Sequence, residues 1–263
     1  MENQKIGVLG CGIMGSILLE VLSNIDKIDI FAFDNNLEKI KEVKKKFKKV
    51  KISSDVSSLN ICDVVILAIK PQDFKNLNLN LSKNTLVISI MAGVPVKVIE
   101  KKLGVKKIVR AMPNMAARIK KGMVGWTATK SVSKIEKEFT KKIFSGMGQD
   151  IYVNGDDAID KITALSGSGP AYIFYMVACF LDSAISLGIK KEDARKIILS
   201  TAKGSIDMIG ENTDLSLLVK NVASKGGTTE AALEIFKKYD TKSVWEKAIK
   251  NAYKRAKELS KKV

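Results

Sequence analysis

The opening of the chain constrains its fold more than any other stretch. Residues 6–9 form a short apolar run that predicts a buried strand. Gly10, Gly12 and Gly15 follow at G-x-G-x-x-G spacing, and Ile17, Leu18, Val21 and Leu22 continue at helical spacing. Strand, glycine turn and helix in this order make a phosphate-binding unit. Gly10 permits the tight turn, Gly12 the close approach of backbone to a pyrophosphate, and Gly15 the packing of helix on strand, with the phosphates at the helix N-terminus. A second apolar run, 28–33, ends in Asp34, where an acid holds a pair of ribose hydroxyls. Gly10, Cys11, Gly12, Ile13, Met14, Gly15 and Asp34 are therefore candidate residues for binding NADP or NAD.

The same alternation continues downstream. Residues 50–52 and 63–69 predict a third and a fourth strand, the fourth continuously apolar from Val64 on as a strand covered on both faces must be. Lys70-Pro71 stops it, so the chain breaks out at the carboxyl end of a strand, the edge at which cofactors bind in open α/β sheets. Residues 85–91 predict a fifth strand, Pro95 to Gly104 a helix, and 107–112 a sixth strand. Residues 122–129 and 150–153 add strand signals around a helix that Ser133 and Glu136 open at capping-box spacing. The expected fold is α/β, with an N-terminal doubly wound, mainly parallel sheet over residues 1–156. Beyond residue 156 strand signals stop. Helical spacing runs through 172–189, then Ala194, Ile197, Ile198 and Ala202, and later Trp245, Ile249, Ala252, Tyr253 and Ala256, which predicts an all-α domain over 157–263.

Composition narrows the chemistry. The chain contains no histidine, which removes Ser-His-Asp and Cys-His nucleophile systems and histidine metal sites, leaving a cofactor, backbone dipoles, hydroxyls or lysines to carry any catalysis. Three cysteines without CxxC spacing give neither a disulfide framework nor a zinc site; no metal and a reducing, cytoplasmic setting are expected. A net charge of +17 raises the question of nucleic acid. The densest lysine run, 41–49, however, alternates with Leu37, Ile40, Val43 and Phe47 at helical spacing, so its lysines form a solvated face. We expect no nucleic-acid partner, and electrostatic steering of anionic ligands instead. No apolar run is expected to reach the length of a membrane span, since Asp182 and Ser183 interrupt 171–187, and no signal-peptide pattern opens the chain. A helix as apolar all round as 172–187 needs a covering surface, and a second copy of the chain is the expected cover.

Two glycine clusters punctuate the helical half. Residues 165–172 (LSGSGPAY) put small residues and a proline at the head of the apolar helix, allowing close approach by cofactor or backbone. Residues 222–229 (VASKGGTT) precede a helix over 230–238 and place free helix-start amides beside three hydroxyls, an anion site or a plain Thr-capped turn.

Together the segments GVLGCGIMG, AIKPQ (68–72), SIMAG (89–93), VRAMPN (109–114), TALSGSGPAY (163–172) and VASKGGTTEAAL (222–233) resemble pyrroline-5-carboxylate reductase over the whole chain. The resemblance implies a Rossmann domain followed by an all-α dimerisation domain, with the active site between them. It implies reduction of the cyclic imine L-1-pyrroline-5-carboxylate to L-proline by NADPH or NADH, in a homodimer or a larger assembly of dimers. It also implies roles for particular residues. Ala68, Ile69, Lys70, Pro71, Met91, Ala92, Gly93 and Asn114 would join the glycine loop in holding the cofactor. Ser224, Gly226, Gly227 and Thr228, with Glu211, would hold the substrate, and the Thr229 hydroxyl would lie at the ring nitrogen. The chain departs from the family pattern at Lys225, where proline is usual, and at Met115-Ala116 in place of Thr-Pro. These departures keep a related imine or ketimine reductase as the alternative, and a non-catalytic NAD(P)-binding regulator as another. Because Asp34-Asn35-Asn36 carries no arginine for a 2′-phosphate, NADH is expected to serve at least as well as NADPH.

Overall fold

The computed structural model describes residues 3–261. The first half alternates strand and helix: β1 (Gln4–Leu9), α1 (Ile13–Leu22), β2 (Ile28–Phe33), α2 (Leu37–Lys46), β3 (Val50–Ile52), β4 (Val64–Leu67), α3 (Pro71–Phe74), β5 (Leu86–Ser89), α4 (Val96–Leu103), β6 (Ile108–Pro113), β7 (Gly122–Ala128), α5 (Lys134–Ser145) and β8 (Gly148–Tyr152). Only helices follow: α6 (Gly155–Ile162), α7 (Gly169–Ser186), α8 (Lys191–Asp207), α9 (Leu215–Val222), α10 (Thr228–Lys238) and α11 (Thr241–Lys261). One eight-stranded sheet runs in the order β3-β2-β1-β4-β5-β6-β7-β8. Every neighbouring pair is parallel except β6 and β7, so the sheet is doubly wound and mainly parallel, as its periodicity predicts.

Local chemistry explains the elements. β4 and β5 bury all four of their residues, as central strands covered on both faces do. α1 turns Gly15, Leu18, Leu19 and Leu22 into the core. α2 buries Val43 and keeps its lysines in solvent, but Leu37 is 74% exposed, because it stands at the first helical position, directly after the turn from β2. The capping box at α5 is formed on both sides: Ser133 Oγ accepts from Glu136 N–H, and Glu136 Oε2 accepts from Ser133 N–H at 2.7 Å. Gly104 ends α4 in the left-handed region, at φ +66°.

Two compact units result, one comprising residues up to Gly169 with those from Ala252 onward, the other Pro170–Asn251. The first holds two large apolar clusters, one on each face of the sheet. The second has a small one, in which Ala184, Ala194 and Ile198 are buried against Val177, Leu181 and Ile189. Its α7 leaves large apolar groups in the open, Phe174 at 65% and Tyr175 at 73% exposure among them.

One expectation needs correction. α6, a π-helical turn (Thr163–Gly167) and α7 run on as a continuous helical stretch, Gly155–Ser186, that is long and apolar enough to cross a membrane. Asp182 and Ser183 do not shorten it, because a single charge is tolerated within a span-length window and the π-turn joins two helices that the glycines of 167–169 suggest should part.

Candidate active site

The glycine edge is built at the carboxyl ends of β1 and β4, where the strand order reverses. Gly10 sits at φ +99°, and a Cβ there would fall 2.6 Å from the Ala68 carbonyl oxygen. A Cβ at Gly15 would come to 1.8 Å from the Gly10 carbonyl oxygen, so helix and turn touch only because Gly15 has no side chain. Gly12 differs, since a Cβ there would meet nothing within 4 Å. Its backbone is bare, and no side chain caps α1 behind it. An open backbone at an uncapped helix N-terminus fits a pyrophosphate. Ile13 faces outward at 54% exposure, and Met14 is half-buried.

Asp34 follows β2 and is not free. Its Oδ2 accepts from Cys11 N–H at 2.7 Å, its Oδ1 accepts from Asn36 N–H at 2.8 Å, and Lys39 Nζ lies 3.6 Å from Oδ2. The acid therefore ties the glycine loop to the end of β2, and a cation faces it. Lys39 is brought there by the Asn36 side chain, which caps α2 by accepting from the amides of Glu38 and Lys39. In the sequence Lys39 and Lys41 are the nearest cations to Asp34, both within the following helix, and it is Lys39 that reaches back to the acid. Burial, followed by the Asp34 carboxylate, pushes the Cys11 thiol up to about 12, which leaves it neutral and inert at the centre of the loop.

The remaining edge residues divide by role. Ala68 lies under Gly10 and Gly15, Ile69 and Pro71 are half-buried, and Lys70 is exposed. Met91 is 2% exposed and belongs to the core, so only its backbone is available to a ligand. Gly93, at φ +70°, carries the end of α11 against it: a Cβ there would fall 2.9 Å from Leu259 Cβ. Asn114 holds its own turn, because Oδ1 accepts from Ala116 and Met123 amides and Nδ2 donates to Ser166 Oγ at 3.1 Å. Gly167 packs on Met112, 2.7 Å from a Cβ position to Met112 Cε, so this small residue serves backbone-to-strand packing.

The same strand, β6, carries a group that sequence reasoning missed. Arg110, within β6, is wholly buried; Nη1 donates to Asp156 Oδ1 at 2.7 Å and Nη2 to Asp160 Oδ1 at 2.6 Å. Its Nε is the one buried side-chain nitrogen or oxygen without a partner among the described residues. Asp156 also accepts from Val96 N–H, capping α4, whose N-cap Pro95 has no side-chain acceptor. Ser260 Oγ on α11 donates to Asp160 Oδ2 at 3.3 Å. A lone arginine in an otherwise apolar strand was the visible signal.

In the helical unit, residues 224–229 form the turn into α10. Gly226 is left-handed at φ +72°, and Gly227 N–H donates to the Ser224 carbonyl at 3.0 Å. A Cβ on Gly227 would fall 2.6 Å from Ser224 Oγ, so both glycines are required, one for conformation and one for space. No side chain caps α10 from its N-cap, Gly227. Thr228 and Thr229 are the first two residues of the helix, and no hydrogen bond joins their hydroxyls to another described residue. Glu211 stands exposed in the turn between α8 and α9, and among the described residues no ion pair or hydrogen bond ties it to this loop. Lys225 is exposed.

A doubly wound sheet with a bare glycine edge, followed by a helical unit with an uncapped glycine-threonine turn, is the build of an NAD(P)-dependent oxidoreductase. Residues 156–259 match the family model for pyrroline-5-carboxylate reductase dimerisation, and residues 5–93 that for NADP oxidoreductase, coenzyme F420-dependent. The pyrroline-5-carboxylate reductase of Pseudomonas aeruginosa is 31% identical over 268 residues, covering 99% of this chain and 98% of that protein. Among solved structures, a pyrroline-5-carboxylate reductase from Coxiella burnetii is 34% identical with a TM-score of 0.87, covering 98% of this chain and 99% of that one. The Plasmodium falciparum pyrroline carboxylate reductase, solved with NADP bound, is 27% identical with a TM-score of 0.83, covering 99% of each chain. The chain belongs to the pyrroline-5-carboxylate reductase family. It is an NAD(P)H-dependent oxidoreductase, and its helical region makes it a homo-oligomer.

Proposed function

We propose that this protein reduces L-1-pyrroline-5-carboxylate to L-proline, the last step of proline biosynthesis, in the cytoplasm. The observation that carries the reading is the uncapped turn at 224–229, with two unengaged hydroxyls at a helix start, in a chain matched end to end by its relatives. When bound, NADPH or NADH supplies the hydride for the C=N carbon. The substrate carboxylate is held by the amides of Gly226 and Thr228 and by Ser224 Oγ, where the α10 N-terminus adds its partial positive charge, while the Gly227 amide, expected to join them, is spent within the turn on the Ser224 carbonyl. Thr229 Oγ1 hydrogen-bonds the ring nitrogen. A strong protein acid is not needed, because a cyclic imine is basic enough to be protonated in water near neutral pH, in keeping with a chain that has no histidine. Gly12 and the amides that open α1 hold the pyrophosphate. Glu211 is kept as a substrate-side group.

The test is NAD(P)H oxidation, followed by its absorbance, with pyrroline-5-carboxylate and with the six-membered ring homologue. Turnover of the five-membered ring alone supports the reading. Preference for the larger ring would favour the alternative imine reductase, and binding of NAD(P)H without turnover of either would favour a regulator.

Cofactor choice turns on Lys39 and Asp34. With the cation 3.6 Å from the acid, a 2′-phosphate would meet a neutralised pair, so the preference between NADPH and NADH should be narrow. Lys39→Ala is expected to lower kcat/KM for NADPH by about tenfold while leaving NADH nearly unchanged, and Asp34→Ser to favour NADPH. Parallel losses with both cofactors would remove Lys39 from the 2′ site.

The exposed apolar face of α7 is proposed as the contact between two copies, with no membrane and no nucleic acid as partner. Full-length protein is expected to sediment as a dimer or a multiple of it at micromolar concentration. Phe174→Asp should yield monomer; an unchanged assembly would place the contact elsewhere.

A further inference from the structure

Glu230 is the third residue of α10, and its Oε2 accepts from Gly226 N–H at 2.6 Å. In a capping box the acid at this helical position reaches back to the N-cap amide. Here the N-cap is Gly227, and its amide is already taken by the Ser224 carbonyl. Glu230 therefore reaches one residue further, to an amide that the proposed function gives to the substrate carboxylate.

We propose that Glu230 is an internal competitor for the substrate carboxylate and so sets the affinity of the site, an inference that rests on the reading above. A backbone N–H directed at one carboxylate oxygen at 2.6 Å cannot serve a second at the same length, and two carboxylates at that distance repel. The resting loop is thus held ready by its own acid: the left-handed Gly226 turn keeps its shape, and an otherwise bare amide is satisfied. Substrate enters only by displacing Glu230, which a ligand making several contacts at once does and a simple anion does not. In a chain of net charge +17, which draws anions of every kind, that selectivity has a use. The same competition shortens the stay of the product, whose carboxylate leaves as Glu230 returns.

The test measures KM for pyrroline-5-carboxylate, KM for NADPH and Kd for L-proline in wild type, Glu230→Gln and Glu230→Ala, with the carboxylate-free ring 1-pyrroline as a second substrate. Both variants are expected to lower KM for pyrroline-5-carboxylate and Kd for proline by roughly fivefold or more, the half-buried setting moderating the effect. KM for NADPH and for 1-pyrroline should stay at the wild-type value. If Glu230 only caps the helix, Ala raises KM for both imines, Gln restores it, and the inference is overturned. Equal improvement with 1-pyrroline overturns it as well. Wild-type protein that turns over neither imine defeats the proposed function itself, whereas normal wild-type turnover with unmoved KM in both variants defeats only the role of Glu230.

Discussion

Arg110→Ala is expected to destabilise the protein by about 3–5 kcal/mol, because removing one member of a buried ion cluster leaves the others as unpaired buried charge. Asp160, 5% exposed, loses its principal partner, and Ser260 alone does not replace a guanidinium. Asp156, partly exposed, keeps solvent and the Val96 amide. For a sheet unit of this size the melting temperature should fall on the order of 10 °C. The informative comparison is Arg110→Met combined with Asp160→Leu. Replacing both buried partners with apolar groups of similar volume is close to neutral, so the double variant should recover most of the loss. A shift of a degree or two in Arg110→Ala, or no recovery in the double variant, would mean that this cluster does not hold the sheet unit together. The effect should extend to the edge residues, since the cluster joins β6 to the N-terminus of α4 and, through Ser260, to the turn of α11 that rests on Gly93.

Thr229→Ala should retain cofactor binding and lose most turnover. The hydroxyl stands at the second position of α10 with no partner among the described residues, so its removal leaves no buried group unsatisfied and should cost little stability. What is lost is a hydrogen bond to a nitrogen whose charge changes during reduction, about 1.5–3 kcal/mol, hence roughly 10- to 100-fold in kcat. Thr229→Ser should retain the activity. The dissociation constant for NADPH, read by fluorescence, should not move in either variant. Wild-type kinetics in the alanine variant would take the ring nitrogen away from Thr229.

Much of this was legible in the order of residues along the chain. The glycine loop read correctly because its demands are steric and local: a Cβ at Gly15 collides with the carbonyl of Gly10, five residues away, and no distant element alters that. β2, β3, the capping box of α5 and the Gly104 cap follow the same logic, each set by side chains within one or two turns. The length of the apolar stretch is underread in the sequence because Asp182 and Ser183 stand as an interruption of 171–187, whereas the helical stretch Gly155–Ser186 runs through them and through the π-turn before them. Glu230 was legible in principle, standing four residues from Gly226, but read only as a helix former.

What the sequence by itself determined is the alternation of strand and helix, the change to all helix after residue 156, and the glycine positions of both candidate ligand sites. These depend on backbone sterics and hydrophobic period, which act over a few residues. Only the tertiary structure decided the charge partners. Arg110 meets Asp156 and Asp160 across 46 and 50 residues of chain, and Asp34 reaches back 23 residues to the Cys11 amide while Lys39 comes round to meet it. Leu259 likewise reaches Gly93 only because α11 returns to the sheet unit. A charge in a sequence of 45 basic residues carries no mark of its partner; burial and chain closure assign it, because a desolvated ion is tolerated only where the fold brings its counterion within hydrogen-bonding distance.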